Sequence, residues 1–182
     1  LIKWSGEPVH KRDMEIYKKY FPQRCLAINM LASAEVGSTR VYFIDKETVI
    51  PDSLVPIGYP MEGCEILILD SDGKKLGFDE VGEIAVQSRY LSPGYWRMPL
   101  LTKSCFLPDP EGGDARIFRT GDLGSMRSDG CLVHRGRKDF HVKIRGYSVE
   151  LAEIEAALIE LDAVKEVVVT TRGSAQGNQV LV

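Results

Sequence analysis

The first 40 residues place two short apolar runs on either side of one amphipathic segment. Residues 1–5 and 25–30 are apolar and of strand length. Residues 11–21 between them carry apolar side chains at helical spacing and end before Pro22. The pattern predicts a strand–helix–strand unit with a parallel sheet, whose other strands would lie upstream of the first residue.

Short apolar segments separated by turns follow from about residue 40 to residue 134. The turns are rich in glycine and aspartate, as at residues 71–73 and 128–130. The predicted strands are residues 41–44, 64–69, 82–87, 117–119, 123–126 and 131–135. This spacing is typical of a small antiparallel β-barrel or sandwich.

The last part of the chain has the order strand, helix, strand. Residues 140–145 alternate as a strand, and Ser148 is placed to cap a helix with Glu150 and Glu153 in its first turn. Residues 164–171 form a β-branched run that predicts another strand, and a further strand begins before the chain ends.

The pattern as a whole predicts a mixed α+β fold in three parts. A partial βαβ unit occupies residues 1–40, a β-barrel-like region residues 41–139, and the start of a small α+β subdomain residues 140–182. Both ends lack the elements that would complete these units, so we expect the chain to be a fragment of a longer protein.

Composition places the chain among ordinary globular proteins. Of its 182 residues 44% are hydrophobic and 27% charged, and the formal net charge is −3. The slight acidic excess argues against a nucleic-acid partner, which would need a cationic surface. A run of about 18 apolar residues does not occur, so we expect no membrane span. The four cysteines lack metal-site spacing, which favours reduced thiols and a cytoplasmic location.

Three motifs carry a resemblance to a known family. They are GEIAVQSRYLSPGYWRMPLLTKSCF at residues 82–106, FRTGD at 118–122 and GRKDFHVKIRGYSVELAEIE at 136–155. They resemble core motifs of the adenylate-forming enzymes, and the chain is most similar to an amino-acid adenylation domain of a nonribosomal peptide synthetase. The resemblance covers essentially the whole chain. It implies that residues 1–139 are the C-terminal part of the large adenylation subdomain and residues 140–182 a truncated small subdomain.

Asp122 and Arg137 are the candidate nucleotide contacts. A carboxylate fixed in a turn can accept two hydrogen bonds from a vicinal diol such as the ribose of ATP. The alternative is an aspartate that caps backbone N–H groups of the turn. The planar guanidinium of Arg137 suits ribose and phosphate oxygens, and the alternative is a surface salt bridge. The resemblance implies that both residues contact the nucleotide.

Residues 28–43 align with the family's Asn-x-Tyr-Gly-x-Thr-Glu segment. The alignment implies that Glu35 helps to hold Mg²⁺ on the ATP phosphates, a role that suits carboxylate oxygens. A solvated loop carboxylate is the alternative. Leu31 stands where an aromatic residue usually packs on adenine, and Ala32 replaces a glycine. Ala34 stands where a threonine hydroxyl usually meets phosphate, so one contact to the nucleotide is missing.

The resemblance also implies roles for residues of the small subdomain. Asp139 matches the hinge about which that subdomain rotates between two half-reactions, and an ordinary linker is the alternative. Lys143, Arg145 and Gly146 match the loop that lines the phosphopantetheine tunnel during thioester formation. For the two cations, a solvated strand face is the alternative.

Four residues fall near positions that shape the pocket for the side chain of the acid substrate in this family. They are Trp4, Met30, Ser38 and Thr39. Trp4 and Met30 are equally consistent with plain core residues. Tyr95 and Trp96 are interpreted as structural, packing the β-rich region.

The resemblance implies a two-step reaction. ATP, with Mg²⁺, and an amino or other carboxylic acid give an acyl-adenylate and pyrophosphate, and the acyl group then passes to the phosphopantetheine thiol of a carrier domain. Ligases of this kind serve the biosynthesis of antibiotics and other secondary metabolites. The family's phosphate loop would lie upstream of Leu1 and its catalytic lysine beyond Val182, so we expect the fragment alone to be inactive. An acyl-CoA synthetase fragment and a non-catalytic interaction segment of a synthetase are the alternatives.

Overall fold

The computed structural model describes residues 1–6, 8–50, 54–110, 112–138, 141–144, 147–161, 163–173 and 179–182. The chain divides into two compact units, Leu1–Arg135 and Gly136–Val182. Among the residues described, no helix combines the length and the apolar character that crossing a membrane requires.

The first unit begins with a four-stranded sheet that confirms the predicted strand–helix–strand order. Strand β1 (Ile2–Ser5) runs parallel to β2 (Ala27–Ser33), and helix α1 (Lys11–Tyr20) connects them. Strands β3 (Gly37–Ile44) and β4 (Tyr59–Pro60) add in antiparallel order, giving β1-β2-β3-β4. The helix packs on this sheet because its apolar stripe, which includes Met14 and Tyr17, is buried against Ala27 and Ile44.

A second, five-stranded sheet follows in the same unit, except that its last strand ends two residues beyond the unit boundary. Its strands are β5 (Glu65–Leu69), β6 (Gly82–Ser88), β7 (Phe106–Pro108), β8 (Arg116–Met126) and β9 (Leu132–Arg137). The order is β5-β6-β8-β7, and β9 also pairs with β8. The strands described form an open sheet and not a closed barrel, so "barrel-like" applies only loosely. Helix α2 (Pro99–Cys105), which the sequence pattern did not predict, precedes β7.

Both faces of this second sheet are covered, which explains its continuous apolar runs. In β5, Ile66 and Ile68 belong to one buried cluster, whereas Leu67 and Leu69 belong to another. Alternate residues of a strand point to opposite faces, so an apolar run without alternation indicates burial on both sides. The larger cluster surrounds Ile84, which is fully buried.

The described residues of the second unit form two antiparallel strand pairs and one helix. Strands β10 (His141–Ile144) and β11 (Tyr147–Glu150) pair in antiparallel order, helix α3 (Leu151–Ile159) follows, and β12 (Thr171–Gly173) pairs with β13 (Gln179–Leu181).

Two expectations for this second unit are wrong. Ser148 and Glu150 pair with residues of β10, so the helix begins after them at Leu151, and Ser148 is not its cap. Residues 164–170 form no named strand. Backbone pairing begins at Thr170, which exchanges hydrogen bonds with Val182, and the strand itself begins at Thr171, opposite β13. β-Branched residues favour strand formation, but a strand also needs a second strand beside it to receive its backbone hydrogen bonds.

Candidate nucleotide-binding site

The Thr-Gly-Asp sequence forms a bulge in β8. Glu83 and Ala85 of β6 pair with residues 123 and 119 of β8, respectively. Three residues of β8, 120–122, therefore stand opposite a single residue of β6. Extra residues in one strand bend it locally and re-aim its side chains, and bulges are frequent beside functional sites.

Hydrogen bonds to β6 and within the bulge hold this conformation. The Thr120 hydroxyl donates to the Ile84 carbonyl oxygen at 2.7 Å and accepts the Asp122 N–H at 3.0 Å. The Gly121 N–H donates to Glu83 Oε1 at 3.2 Å, and Gly121 has a φ of 76°. These acceptors satisfy the amides of residues 121 and 122, so neither amide requires the Asp122 carboxylate as its cap.

The Asp122 carboxylate lies at the edge of the protein surface. Its side chain is 18% exposed, and Oδ1 is 3.7 Å from Nε2 of His134 on β9. A partly buried carboxylate attached to a braced bulge is a suitable acceptor for two hydroxyl groups. His134 is a neighbour that the sequence motifs did not indicate. The pairing of β8 with β9 is the signal that indicates it.

Glu35 lies in the turn between β2 and β3, and hydrogen bonds hold both its side chain and its backbone. Its Oε1 accepts the Tyr95 hydroxyl at 2.9 Å, and its backbone carbonyl accepts the Ser92 N–H at 2.8 Å. Burial, followed by the hydrogen bond to Glu35 and its negative charge, raises the pKa of Tyr95 to about 12. The phenol therefore remains protonated, and hence a donor, at neutral pH. The sequence interpretation treated Tyr95 as a packing residue only.

A single carboxylate at this turn fits a magnesium ion bound mainly through ATP. Mg²⁺ is usually held by one or two carboxylates, with phosphates and water completing the octahedron. The described part of the chain contains no cluster of three or more potential metal ligands. Leu31 is half-buried in β2, and Ala34 is exposed in the turn beside Glu35. The turn thus offers a carboxylate, but no hydroxyl at position 34.

The pocket candidates are distributed over both faces of the first sheet. Trp4 pairs with residue 29, one position before Met30, so Trp4 and Met30 point to opposite faces. Trp4 packs edge-on against Tyr17, with ring centroids 6.0 Å apart. Ser38 is half-buried, and Thr39 is fully buried and donates to the Leu31 carbonyl at 3.3 Å. The packing of Trp4 favours the core role, and the pocket assignment stays a prediction.

The remaining candidates belong to the second unit or to residues that are not described. Arg137 is the last residue of β9 and is half-buried, and its approach to the same nucleotide as Asp122 stays a prediction. Lys143 lies in β10, opposite Ser148. The hinge candidate Asp139 and the loop candidates Arg145 and Gly146 lie outside the described residues.

Comparison with known proteins extends this description. Residues 1–96 match the protein family described as AMP-binding enzyme. Tyrocidine synthase 2 of Brevibacillus parabrevis is 32% identical over 180 residues, which are 99% of this chain and 5% of that protein. The chain therefore spans a small fraction of the length of this relative.

Two solved structures share the fold. The four-domain nonribosomal peptide synthetase AB3403, bound to AMP and glycine, is 28% identical with a TM-score of 0.77, over 98% of this chain and 13% of that one. Klebsiella oxytoca NpsA, in complex with 3-hydroxyanthranilyl-AMSN, is 25% identical with a TM-score of 0.80, over 98% of this chain and 36% of that one. With the match over residues 1–96, the expected family is confirmed: the chain belongs to the AMP-binding enzymes.

Proposed function

We propose that the protein containing this chain is an adenylation domain of a nonribosomal peptide synthetase. It would use ATP to activate an amino or other carboxylic acid and load it onto a carrier domain. The synthetase relatives, and the AMP and glycine bound to one of the similar structures, support this assignment.

The proposed reaction has two displacements. An oxygen of the substrate carboxylate attacks the α-phosphorus of ATP, the bond to the bridging oxygen breaks, and pyrophosphate leaves with that electron pair. The sulfur of the carrier's phosphopantetheine thiol, after losing its proton, then attacks the carbonyl carbon of the acyl-adenylate, and AMP leaves. Both steps depend chiefly on positioning and on stabilising charge at phosphate oxygens.

The bulge that presents Asp122 is the observation that carries the proposal. The amides of residues 121 and 122 are satisfied by Glu83 and Thr120, which supports a role for the Asp122 carboxylate in accepting the 2′- and 3′-hydroxyls of ribose. Glu35 would bind Mg²⁺ on the phosphates, with Tyr95 orienting the carboxylate.

Several further assignments belong to the same proposal. Arg137 would contact ribose and phosphate, and Asp139 would act as the hinge of the small subdomain. Lys143, Arg145 and Gly146 would line the path of phosphopantetheine. Their support is the match of residues 136–155 to the family motif. The four cysteines are free, which is consistent with the cytoplasm as the place of action.

A non-catalytic role within a synthetase is the second candidate function. Ala34 is the observation that favours it, because this exposed turn residue supplies no hydroxyl for phosphate. The two candidates differ in nucleotide chemistry. An enzyme forms acyl-adenylate and so catalyses exchange of labelled pyrophosphate into ATP in the presence of its acid, whereas an interaction segment does not.

The decisive experiment compares ATP with 2′,3′-dideoxy-ATP in calorimetric titrations of the intact protein that contains this chain. We expect ATP to bind about tenfold to a hundredfold more tightly, because a hydrogen bond to a charged group contributes ~1.5–3 kcal/mol. Asp122→Asn should remove most of this preference. Pyrophosphate exchange with a panel of amino acids then tests the chemistry, and transfer to a holo-carrier domain or to CoA separates a synthetase from an acyl-CoA ligase.

Asp72→Asn is the matched control for this experiment. Asp72 is an exposed aspartate that precedes a glycine in a surface turn, so its substitution repeats the chemical change outside β8. It should leave the preference for ATP unchanged. Equal binding of the two nucleotides by the unsubstituted protein would contradict the ribose role of Asp122.

A further inference from the structure

Glu83 braces the Thr-Gly-Asp bulge from the neighbouring strand. Glu83 lies in β6 one position before the residue that stands opposite the bulge, and its side chain is 8% exposed. Oε1 accepts the N–H of Gly121, and Oε2 accepts the Nε–H of Arg119 at 2.9 Å as well as a second N–H of the same guanidinium. The carboxylate therefore holds residues on the N-terminal side of the bulge and within it.

The position of Arg119 explains why an acidic residue occupies position 83 of β6. Arg119 immediately precedes the bulge, and its side chain is 23% exposed. A nearly buried carboxylate that receives charged N–H donors is strongly oriented by them, because such charge-assisted hydrogen bonds are short and about twice as strong as neutral ones. The backbone of Gly121 then follows the orientation of Glu83.

The conformation of Gly121 sets the position of the next residue, Asp122. Gly121 adopts a left-handed conformation, which glycine reaches without steric cost but which other contacts must select. Glu83 selects it by accepting the N–H of this glycine, and the next residue is Asp122. The orientation of the Asp122 carboxylate therefore depends on an acidic residue that need not touch the nucleotide.

We infer that Glu83 is a positioning residue for ribose recognition, acting through Gly121 and Asp122 and together with Arg119. The inference rests on the proposed function, because it concerns the same nucleotide site. It adds a determinant of ribose recognition on β6, whereas the Asp122 carboxylate that would bind ribose lies on β8.

The test measures the binding of ATP and 2′,3′-dideoxy-ATP to the intact protein carrying Glu83→Gln. Glutamine keeps the length and one acceptor oxygen but removes the charge that orients Arg119. We expect ATP binding to weaken about tenfold, the scale of one charge-assisted hydrogen bond. Binding of the dideoxy nucleotide should change less than about twofold, because that ligand makes no ribose hydrogen bond to Asp122.

A double-mutant cycle identifies the route of the effect. In the Asp122→Asn background, Glu83→Gln should weaken ATP binding no further, since the carboxylate that it positions is already lost. Weakening of both nucleotides to the same degree would show a general structural defect and overturn the inference. Unchanged ATP binding in Glu83→Gln, or additive effects in the cycle, would also overturn it.

Glu65→Gln is the matched control. Glu65 lies in the same sheet and forms an ion pair with Lys75 at 3.1 Å, but both side chains are largely exposed. This variant should bind both nucleotides as the unsubstituted protein does. The preference of the unsubstituted protein for ATP is a separate readout. If that preference is absent, the proposed function fails together with the inference, whereas if it persists in Glu83→Gln only the inference fails.

Discussion

At the scale of single residues, one hydrogen bond links two candidates that the sequence interpretation treated separately. Tyr95 was assigned to packing and Glu35 to metal binding, yet the tyrosine hydroxyl donates to the carboxylate at 2.9 Å. The two residues are 60 positions apart. Local patterning describes neighbours within a helix or strand, so it does not predict a contact of this separation.

The raised pKa of Tyr95 predicts a measurable dependence of stability on alkaline pH. Its pKa rises from 10.0 to about 12, so the stability that this group contributes is complete below pH 10 and is lost as the pH rises through about 12. Tyr95→Phe should therefore be less stable than the unsubstituted protein at pH 9 by ~1 kcal/mol, the scale of one hydrogen bond. The difference should shrink between pH 10 and pH 12.

Urea unfolding at each pH measures this difference. Tyr20→Phe is the control, because Tyr20 is 68% exposed and the same hydroxyl is removed at the surface. A stability difference between Tyr95→Phe and the unsubstituted protein that stays constant from pH 9 to pH 12 would contradict the prediction.

At the scale of elements, the bulge of β8 is the feature on which the proposed nucleotide site depends. The sequence pattern predicted two strands, residues 117–119 and 123–126, with the Thr-Gly-Asp motif between them. The structure joins them into the single strand β8, since pairing with β6 resumes after the bulge at residue 123. The motif is therefore held within a sheet, with strand pairing on either side of it.

Gly121→Ala tests the bulge. A residue with a Cβ in the left-handed region costs ~1–2 kcal/mol, so the variant should lose that amount of stability. ATP binding should weaken as well, because relief of the strain moves Asp122. Denaturant unfolding and nucleotide titration measure the two effects.

Gly73→Ala separates strain from site geometry. Gly73 has a φ of 82° and open space where a Cβ would stand, so the cost in stability should be similar. It lies in the turn after β5 and not in β8, and ATP binding should stay unchanged. Unaltered ATP binding in Gly121→Ala would show that the bulge does not determine the position of Asp122.

At the scale of the molecule, the first unit is held together where its two sheets meet. Leu132 of β9 is fully buried in the larger core cluster, and its backbone exchanges hydrogen bonds with Ile57 and Gly58 beside β4. Arg40 of β3 is also buried and donates to the carbonyls of Gly58 and Gly130. Burial lowers the pKa of Arg40.

Leu132→Ala should destabilise the first unit by ~2–5 kcal/mol, the range for removing a buried leucine side chain and leaving a cavity. Leu100→Ala makes the same chemical change at a position that is 84% exposed, and it should alter stability by less than ~0.5 kcal/mol. Guanidinium unfolding of both variants provides the comparison. Equal effects would show that Leu132 is not part of the core.

Much of this fold was predictable from local patterns. The strand–helix–strand start and most strands of the second sheet follow from spacing along the chain, because periodicity and turn residues act over a few positions. The family was indicated by the resemblance of three motifs. The expectations that failed, at Ser148 and at residues 164–170, concern places where strand pairing decided the outcome. Helix α2 was missed because none of its residues is buried, so it carries no apolar stripe facing a core.

The amino-acid sequence by itself determined the family, the order of most elements and the chemical types at the candidate site, including the carboxylates of Asp122 and Glu35. Only the tertiary structure decided how they are placed: Glu83 accepts the N–H of Gly121 in the bulge that carries Asp122, and the Tyr95 hydroxyl donates to the carboxylate of Glu35. The physical reason is distance along the chain. Side-chain chemistry and local periodicity can be read from residues that are close in the sequence. The contacts of Glu83 with Gly121 and of Tyr95 with Glu35 join segments that come together only when the sheets form.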